Sequence, residues 1–298
     1  MIGELAALGA AISWAIAPIL YRNALVNTNP ISANIVRCVT NGIVLTVFLV
    51  ALGLTNILAS LPPWVLIFTV ISGVIGLGIG DTLYMWGLKI LGVSRAVPLA
   101  STYPLFGLIW ATWLLGQPPS VLALTGAAVI LLGIWLLSRK NHAETTSPKG
   151  KLVLLGVVAS LGTAVIWSVS LTMMNIVVAS GVNGLDTNYA ITTLRIASIA
   201  VLLTAFSPFI DRRHGFLKIS KKAVIVLCLG GLIANGLGWI LMNYSFSFIP
   251  ETIAVPISST SPLFAALTGF LLFREKATLW TILGAIFVVT GIILIFIV

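Results

Sequence analysis

The eleven residues Ala96-Val97-Pro98-Leu99-Ala100-Ser101-Thr102-Tyr103-Pro104-Leu105-Phe106 return 158 positions later as Ala254-Val255-Pro256-Ile257-Ser258-Ser259-Thr260-Ser261-Pro262-Leu263-Phe264, eight of the eleven unchanged. The same shift lays Gly73 on Gly231, Gly78 on Gly236, Gly80 on Gly238, Gly126 on Gly284, Gly133 on Gly291 and Arg37 on Arg195. Trp14 meets Trp167 at a shift of 153, which requires five extra residues in the first loop of the later half. Apolar segments resemble one another through composition alone. Composition does not hold two prolines, a Ser-Thr pair and an arginine in one register, so the chain reads as a duplication.

The solvent for this duplicated unit is lipid. Of 298 residues, 59% are hydrophobic and 8% charged, against about 25% charged in a soluble domain. A spanning helix needs about 20 apolar residues. Ten stretches reach that length, at 2–21, 31–53, 63–88, 94–115, 120–138, 152–178, 187–210, 223–247, 252–273 and 278–298. Barrel strands would be half as long and alternate in polarity, so the spans are helices. The expected fold is an all-α membrane protein with ten transmembrane helices in two inverted five-helix repeats. The first repeat covers 1–138, a polar linker 139–151, and the second repeat 152–298. The N-terminus lacks a basic n-region and a cleavage site, so it reads as the first span and not as a signal peptide.

Five is odd, so the second copy enters the membrane from the opposite side. The charges point the same way. Connections after helices 1, 3, 5, 7 and 9 hold 14 of the 16 Lys and Arg residues: Arg22, Lys89, Arg95, Arg139, Lys140, Lys149, Lys151, Arg212, Arg213, Lys218, Lys221, Lys222, Arg274 and Lys276. By the positive-inside rule these loops are cytoplasmic and both termini lie outside, in a multi-pass protein of the cell membrane. The net charge of +9 is therefore an orientation signal. No basic stripe interleaved with aromatics suggests nucleic acid. Inverted repeats give a carrier two related conformations around a site near the midplane, with the lipid bilayer and a small-molecule metabolite as its partners.

The ends of the halves carry a repeated pattern: Val97-Pro98 to Pro104-Leu105, Gly116-Gln117, then Gly126 and Gly133; and Val255-Pro256 to Pro262-Leu263, Arg274-Glu275, then Gly284 and Gly291. This resembles the drug/metabolite transporter superfamily, in particular its EamA-type members, over nearly the whole chain. Two departures stand out. Gln117 replaces the acid of the family's Gly-Glu turn in the first copy, and Arg274 replaces its glycine in the second. The resemblance implies a secondary transporter, expected to act in export by alternating access. The alternative within the superfamily is a flippase for lipid-linked sugars or lipids. No ATP motif is present, since Gly76-Leu77-Gly78-Ile79-Gly80 follows no strand and lacks the P-loop lysine. The expected coupling is uniport, exchange or protons, and the expected assembly a monomer or homodimer.

Charges inside a span face a cavity or a partner. Asp81 falls near the middle of the third span, with Tyr84 one turn on; it is a candidate to bind a proton or a substrate cation. Arg37 and Arg195 are candidates for a substrate anion, for a gate, or for snorkelling. Ser13, Trp14, Asn34, Asn41, Tyr103, Trp167, Asn188, Asn235, Trp239, Asn243 and Tyr244 are candidate cavity walls, with Trp14 and Trp167 central in the first helix of each repeat. Pro98, Pro104, Pro256 and Pro262 are candidate hinges, with Ser101, Thr102, Ser259 and Thr260 placed to satisfy the freed carbonyls. The glycine pairs seven apart in each closing helix mark a helix contact or a dimer face. His142 and His214 lie in loops and Asp81 is the mid-span acid, too little chemistry for an intramembrane enzyme. Cys38 and Cys228 lack ligand spacing, so neither metal nor cofactor is expected.

Overall fold

A computed structural model describes residues 1–138, 151–211, 215–265, 267 and 279–296. The basic connections with Arg139, Lys140, Lys149, Arg212, Arg213, Arg274 and Lys276, the loop histidines, and most of the linker lie outside the described residues. Every regular element among those described is helical. In chain order they are α1 (Ile2–Leu25), α2 (Pro30–Ala51), α3 (Thr55–Ser60), α4 (Pro63–Gly73), α5 (Asp81–Leu91), α6 (Val93–Ala100), α7 (Tyr103–Leu115) and α8 (Val121–Ser138). The later half adds α9 (Lys151–Ala179), α10 (Leu185–Ile210), α11 (Lys221–Gly231), α12 (Trp239–Phe246), α13 (Glu251–Ser258) and α14 (Leu279–Phe296).

Among the described residues, six continuous helical runs are long and apolar enough to cross a membrane: Ile2–Arg22, Pro30–Ala51, Pro63–Leu91, Lys151–Ala179, Leu185–Ile210 and Lys221–Phe246. Two shorter apolar helices cover Val121–Leu136 and Ile282–Ile295. Ordinary capping opens α2: the Asn29 side chain accepts from Ile31 N at 3.0 Å, and Pro30 occupies the first turn, where its missing N–H is not needed. Gly116 ends α7 in the left-handed region at φ 61°.

Two kinds of irregularity interrupt the expected spans. First, the third and eighth spans each contain a π-helical segment, Val74–Gly80 and Leu232–Gly238, spaced by the same 158 residues. A π turn widens the helix and displaces carbonyls from their usual donors. Asn34 Nδ2 donates to Leu77 O at 2.9 Å and Gly78 O at 3.3 Å in the first segment; Trp14 Nε1 donates to Ala234 O at 3.0 Å in the second. Second, the stretch expected as the fourth span forms two helices, α6 and α7, parted at Ser101-Thr102, and the stretch expected as the ninth breaks likewise after α13 at Ser259-Thr260. Pro98 and Pro256 lie inside α6 and α13, Pro104 in the first turn of α7, and Pro262 just beyond the second break. The hydroxyls of Thr102, Ser259 and Thr260 each donate to the carbonyl three residues back, all at 2.7 Å.

The halves interlock. Helix α1 packs on α11, α12, α13 and the second π segment, while α9 packs on α4, α5, α6 and the first. In the same reciprocal manner α2 meets α11 and α10 meets α4. The two closing helices, α8 and α14, meet through glycines. A Cβ added to Gly126 would lie 2.8 Å from Gly291 O, and one added to Gly133 would lie 2.8 Å from Gly284 O. Pairing 126 with 291 and 133 with 284 means that these helices run antiparallel. Around this bundle, Trp113, Val121, Val201 and Phe209 are exposed, an apolar surface suited to acyl chains.

The glycine contact predicts that Gly133→Leu, by forcing the closing helices apart, lowers the unfolding free energy of the detergent-solubilised protein by about 1–3 kcal/mol. Gly162→Ala is the control, since its added carbon meets Leu83 at an ordinary 3.5 Å. Thermal melts that place both variants together would refute the contact.

Candidate functional site

Where the first helices of the two halves face each other, the bundle holds a partly open cavity of about 630 Å³, counting the open solvent at its mouth. Eight of the candidate pathway and wall residues line it: Trp14, Arg37, Asp81, Tyr84, Tyr103, Trp167, Asn235 and Trp239. Tyr21, Ser101 and Ser261 add polar groups to the wall. Three candidates stand back from it. Asn41 donates to Arg37 O at 2.5 Å, Asn243 donates to Thr192 Oγ1 at 3.2 Å, and Arg195 lies behind Trp239. All three are buried. Of the other wall candidates, Ser13 donates to Gly9 O and Asn188 to Gly184 O within their own helices. Tyr244 stacks edge-on against Phe248.

Asp81 sits one residue past the first π segment, with its carboxylate buried. Arg37 Nη2 reaches its Oδ2 at 2.5 Å, and Trp167 Nε1 donates to its Oδ1 at 2.8 Å. Arg37 also donates to Asn34 Oδ1, so Asn34 links the ion pair to the carbonyls of the π segment. Neither arginine snorkels: they are 2% and 0% exposed. Among the described residues no hydrogen bond joins Tyr84 to Asp81. Tyr84 instead packs on Trp167, ring centroids 4.8 Å apart. Breaking a buried pair by removing one partner costs about 3–5 kcal/mol, because the other charge is left without compensation.

Position 239 is the repeat equivalent of 81, and it holds tryptophan. There Arg195, the equivalent of Arg37, stacks its guanidinium 3.5 Å from the Trp239 ring centroid. An ion pair in one half is a cation–π contact in the other. Arg195 Nη2 is bonded to Ser170 Oγ, while its Nε and Nη1 have no partner among the described residues.

Aromatic rings form the rest of the wall. Trp239 and Trp14 are 5.6 Å apart, Trp14 and Tyr103 6.5 Å, and Tyr103 and Trp167 6.3 Å, each pair edge to face. The glycines of the π segments make room for the indoles: a Cβ on Gly80 would meet Trp167 Cδ1 at 2.8 Å, and one on Gly238 would meet Trp14 Nε1 at 2.6 Å. Each first-helix tryptophan is thus seated on the other half. Three polar wall atoms have no partner among the described residues: Tyr21 Oη, Asn235 Nδ2 and Arg37 Nε.

Sequence reasoning missed Tyr21, because an aromatic beside Arg22 at the end of a span reads as an interfacial anchor. It also missed Glu251, a fully buried acid outside the cavity, because Glu251 directly precedes the ninth span and its repeat equivalent is Val93. Polar ties lie toward both ends of the bundle. Ser32 Oγ donates to Asp211 Oδ2 at 2.9 Å and Lys89 Nζ to Thr28 O at 2.8 Å, near the C-terminal end of α1. Glu251 is bonded at the other end, where Gly3 touches Ile249.

Comparison with known proteins adds a family. The model described as the EamA-like transporter family matches residues 1–139 and again 154–297. An uncharacterized transporter of Archaeoglobus fulgidus is 25% identical over 301 residues, covering 99% of this chain and 98% of its own. A Staphylococcus aureus protein named for ribose uptake, RbsU, is 23% identical over 231 residues, 74% of this chain and 69% of its own. A solved crystal structure superposes with a TM-score of 0.73 at 17% identity, over 98% of this chain and 95% of that one, a likeness of fold alone.

The ion pair yields a double-mutant prediction. Arg37→Met and Asp81→Leu should each destabilise the purified protein by about 3–5 kcal/mol, and the double variant by clearly less than their sum. Additive losses in chemical unfolding would show that the two charges do not support one another.

Proposed function

The chain belongs to the EamA-like transporter family, a family of multi-pass membrane proteins, and from that premise we propose that it is a secondary carrier of a small polar metabolite, working by alternating access through the cavity between its halves. The observation that carries this reading is the reciprocal packing around that cavity, in which each half places its first-helix tryptophan against the π segment of the other. Such an arrangement allows two related packings of the same parts, one open to each side. The antiparallel contact of the repeat-equivalent helices α8 and α14 supports an inverted relation between the halves. The polar ties at the two ends of α1 are suited to act as alternate gates. With the basic connections cytoplasmic, the Asp211 and Lys89 end faces inward, and the Glu251 end and both termini face out.

The cavity chemistry narrows the cargo. Arg37 and Asp81 are already paired with one another, which leaves a hydroxyl, an amide and one guanidinium N–H to bond a solute. Indole and phenol rings supply flat apolar faces. A small molecule with hydroxyl or carbonyl groups along one edge and C–H groups on a face suits that wall. The relatives named for ribose uptake support a sugar of that size as the first solute to test. Direction in a secondary carrier follows the driving gradients; export is the expectation from the sequence, and counterflow reads exchange without presupposing it.

In proteoliposomes loaded with unlabelled D-ribose, the carrier is expected to accumulate labelled D-ribose transiently by counterflow. Trp14→Ala and Trp167→Ala should each weaken apparent affinity by about tenfold or more, which corresponds to ~1.4 kcal/mol. Counterflow with another metabolite in a panel but not with ribose would reassign the cargo. Exchange of no solute at all by folded protein would overturn the carrier reading.

A further inference from the structure

Glu251 opens α13 with its side chain wholly buried. From α9, Thr172 Oγ1 donates to its Oε1 at 2.6 Å and Asn175 Nδ2 to its Oε2 at 3.3 Å. Its backbone N–H donates to Gln117 Oε1 at 3.1 Å, in the connection that follows α7. Among the described residues no Lys, Arg or His pairs with this carboxyl. The helices packed on α13 bring few charges to it. Helix α1 brings Glu4, itself tied to the terminal ammonium at 2.7 Å, to this end of the bundle. Helix α9 presents only the two neutral donors, and its Lys151 lies at its far end. Helix α7 carries Tyr103 and α12 carries Tyr244, while α8 and α14 hold no titratable side chain.

This setting differs in kind from that of Asp81, whose carboxylate has a guanidinium against it. Burying an ionised carboxylate without a cation costs several kcal/mol, so the neutral acid is the stable form in a closed, dry site. The neutral acid still accepts from Thr172 and Asn175, and its proton has somewhere to go only when water arrives. The cavity is within reach of the change: α13 ends at Ser258, whose Oγ meets the Tyr103 hydroxyl at 2.7 Å on the cavity wall.

We propose that Glu251, not Asp81, is the proton-binding site of this carrier: its carboxyl holds a proton while it is bonded to Thr172 and Asn175 of α9, and gives that proton to water when those bonds part. The proposal rests on the carrier reading for its purpose, but its chemistry is testable without any solute.

The experiment is infrared difference spectroscopy of the purified full-length protein, titrated to alkaline pH from about pH 6, where exposed carboxyls are already ionised, in the wild type, Glu251→Gln and Asp81→Asn. The carbonyl stretch of a protonated carboxylic acid should disappear on alkalinisation in the wild type and in Asp81→Asn, and be missing throughout in Glu251→Gln. A band that persists in Glu251→Gln, or that Asp81→Asn removes, would overturn the assignment. Glutamine keeps the shape and accepts from Thr172; should that variant fail to fold, Glu251→Asp is expected to retain the band at a shifted frequency, and an unshifted band there refutes the proposal equally. Failure of solute counterflow leaves this result untouched, so the two readings fall separately.

Discussion

Lipid offers a backbone no hydrogen-bond partner, so each widened or interrupted turn in this bundle has to be closed by a side chain. That constraint ties the site to the fold. The π segments lie at the centre of the molecule, and their displaced carbonyls are met by Asn34 in one half and by Trp14 in the other. Asn34 accepts in turn from Arg37, which holds Asp81, which accepts from Trp167. A single run of polar contacts thus leads from a backbone irregularity to the cavity wall and across to the second half. Removing any member leaves a buried group unsatisfied, a cost of about 1–3 kcal/mol for a neutral group and more for a charged one.

Much of this was legible beforehand, because the duplication carried the information. Gly80 and Gly238 aligned with one another, and Trp14 and Trp167 aligned separately; the structure places each tryptophan on the opposite glycine. The glycine pairs of the closing helices announced a helix contact, and it lies between α8 and α14. Hydropathy could not show the π segments, since a wide turn and an α turn of the same residues have the same mean hydropathy. Nor could it show that the prolines flank true breaks at Ser101-Thr102 and Ser259-Thr260, because a kinked helix and a broken one share the same composition. Tyr21 and Glu251 escaped for a different reason. Each stands at the edge of a span, where a polar or aromatic residue is expected at the interface, and only tertiary packing buries it.

The arginines illustrate how a repeat equivalence can mislead about chemistry while being right about place. Arg37 and Arg195 occupy matching positions and both turn inward, yet one meets a carboxylate and the other an indole face. Register fixed where each guanidinium would lie. The partner residue, Asp81 or Trp239, decided what it would do.

The contact of Gly126 with Gly291 and of Gly133 with Gly284 maps onto itself when the repeats are exchanged. That is the geometry of an isologous interface, the kind made by two identical subunits about a two-fold axis. In a true homodimer any substitution appears twice, so an acid near the axis would confront its own copy and the like charges would repel. Joining both copies in one polypeptide lifts that restriction. A lone carboxylate at position 81, with tryptophan at the equivalent position 239, is a composition that a fused pair can hold and a homodimer cannot.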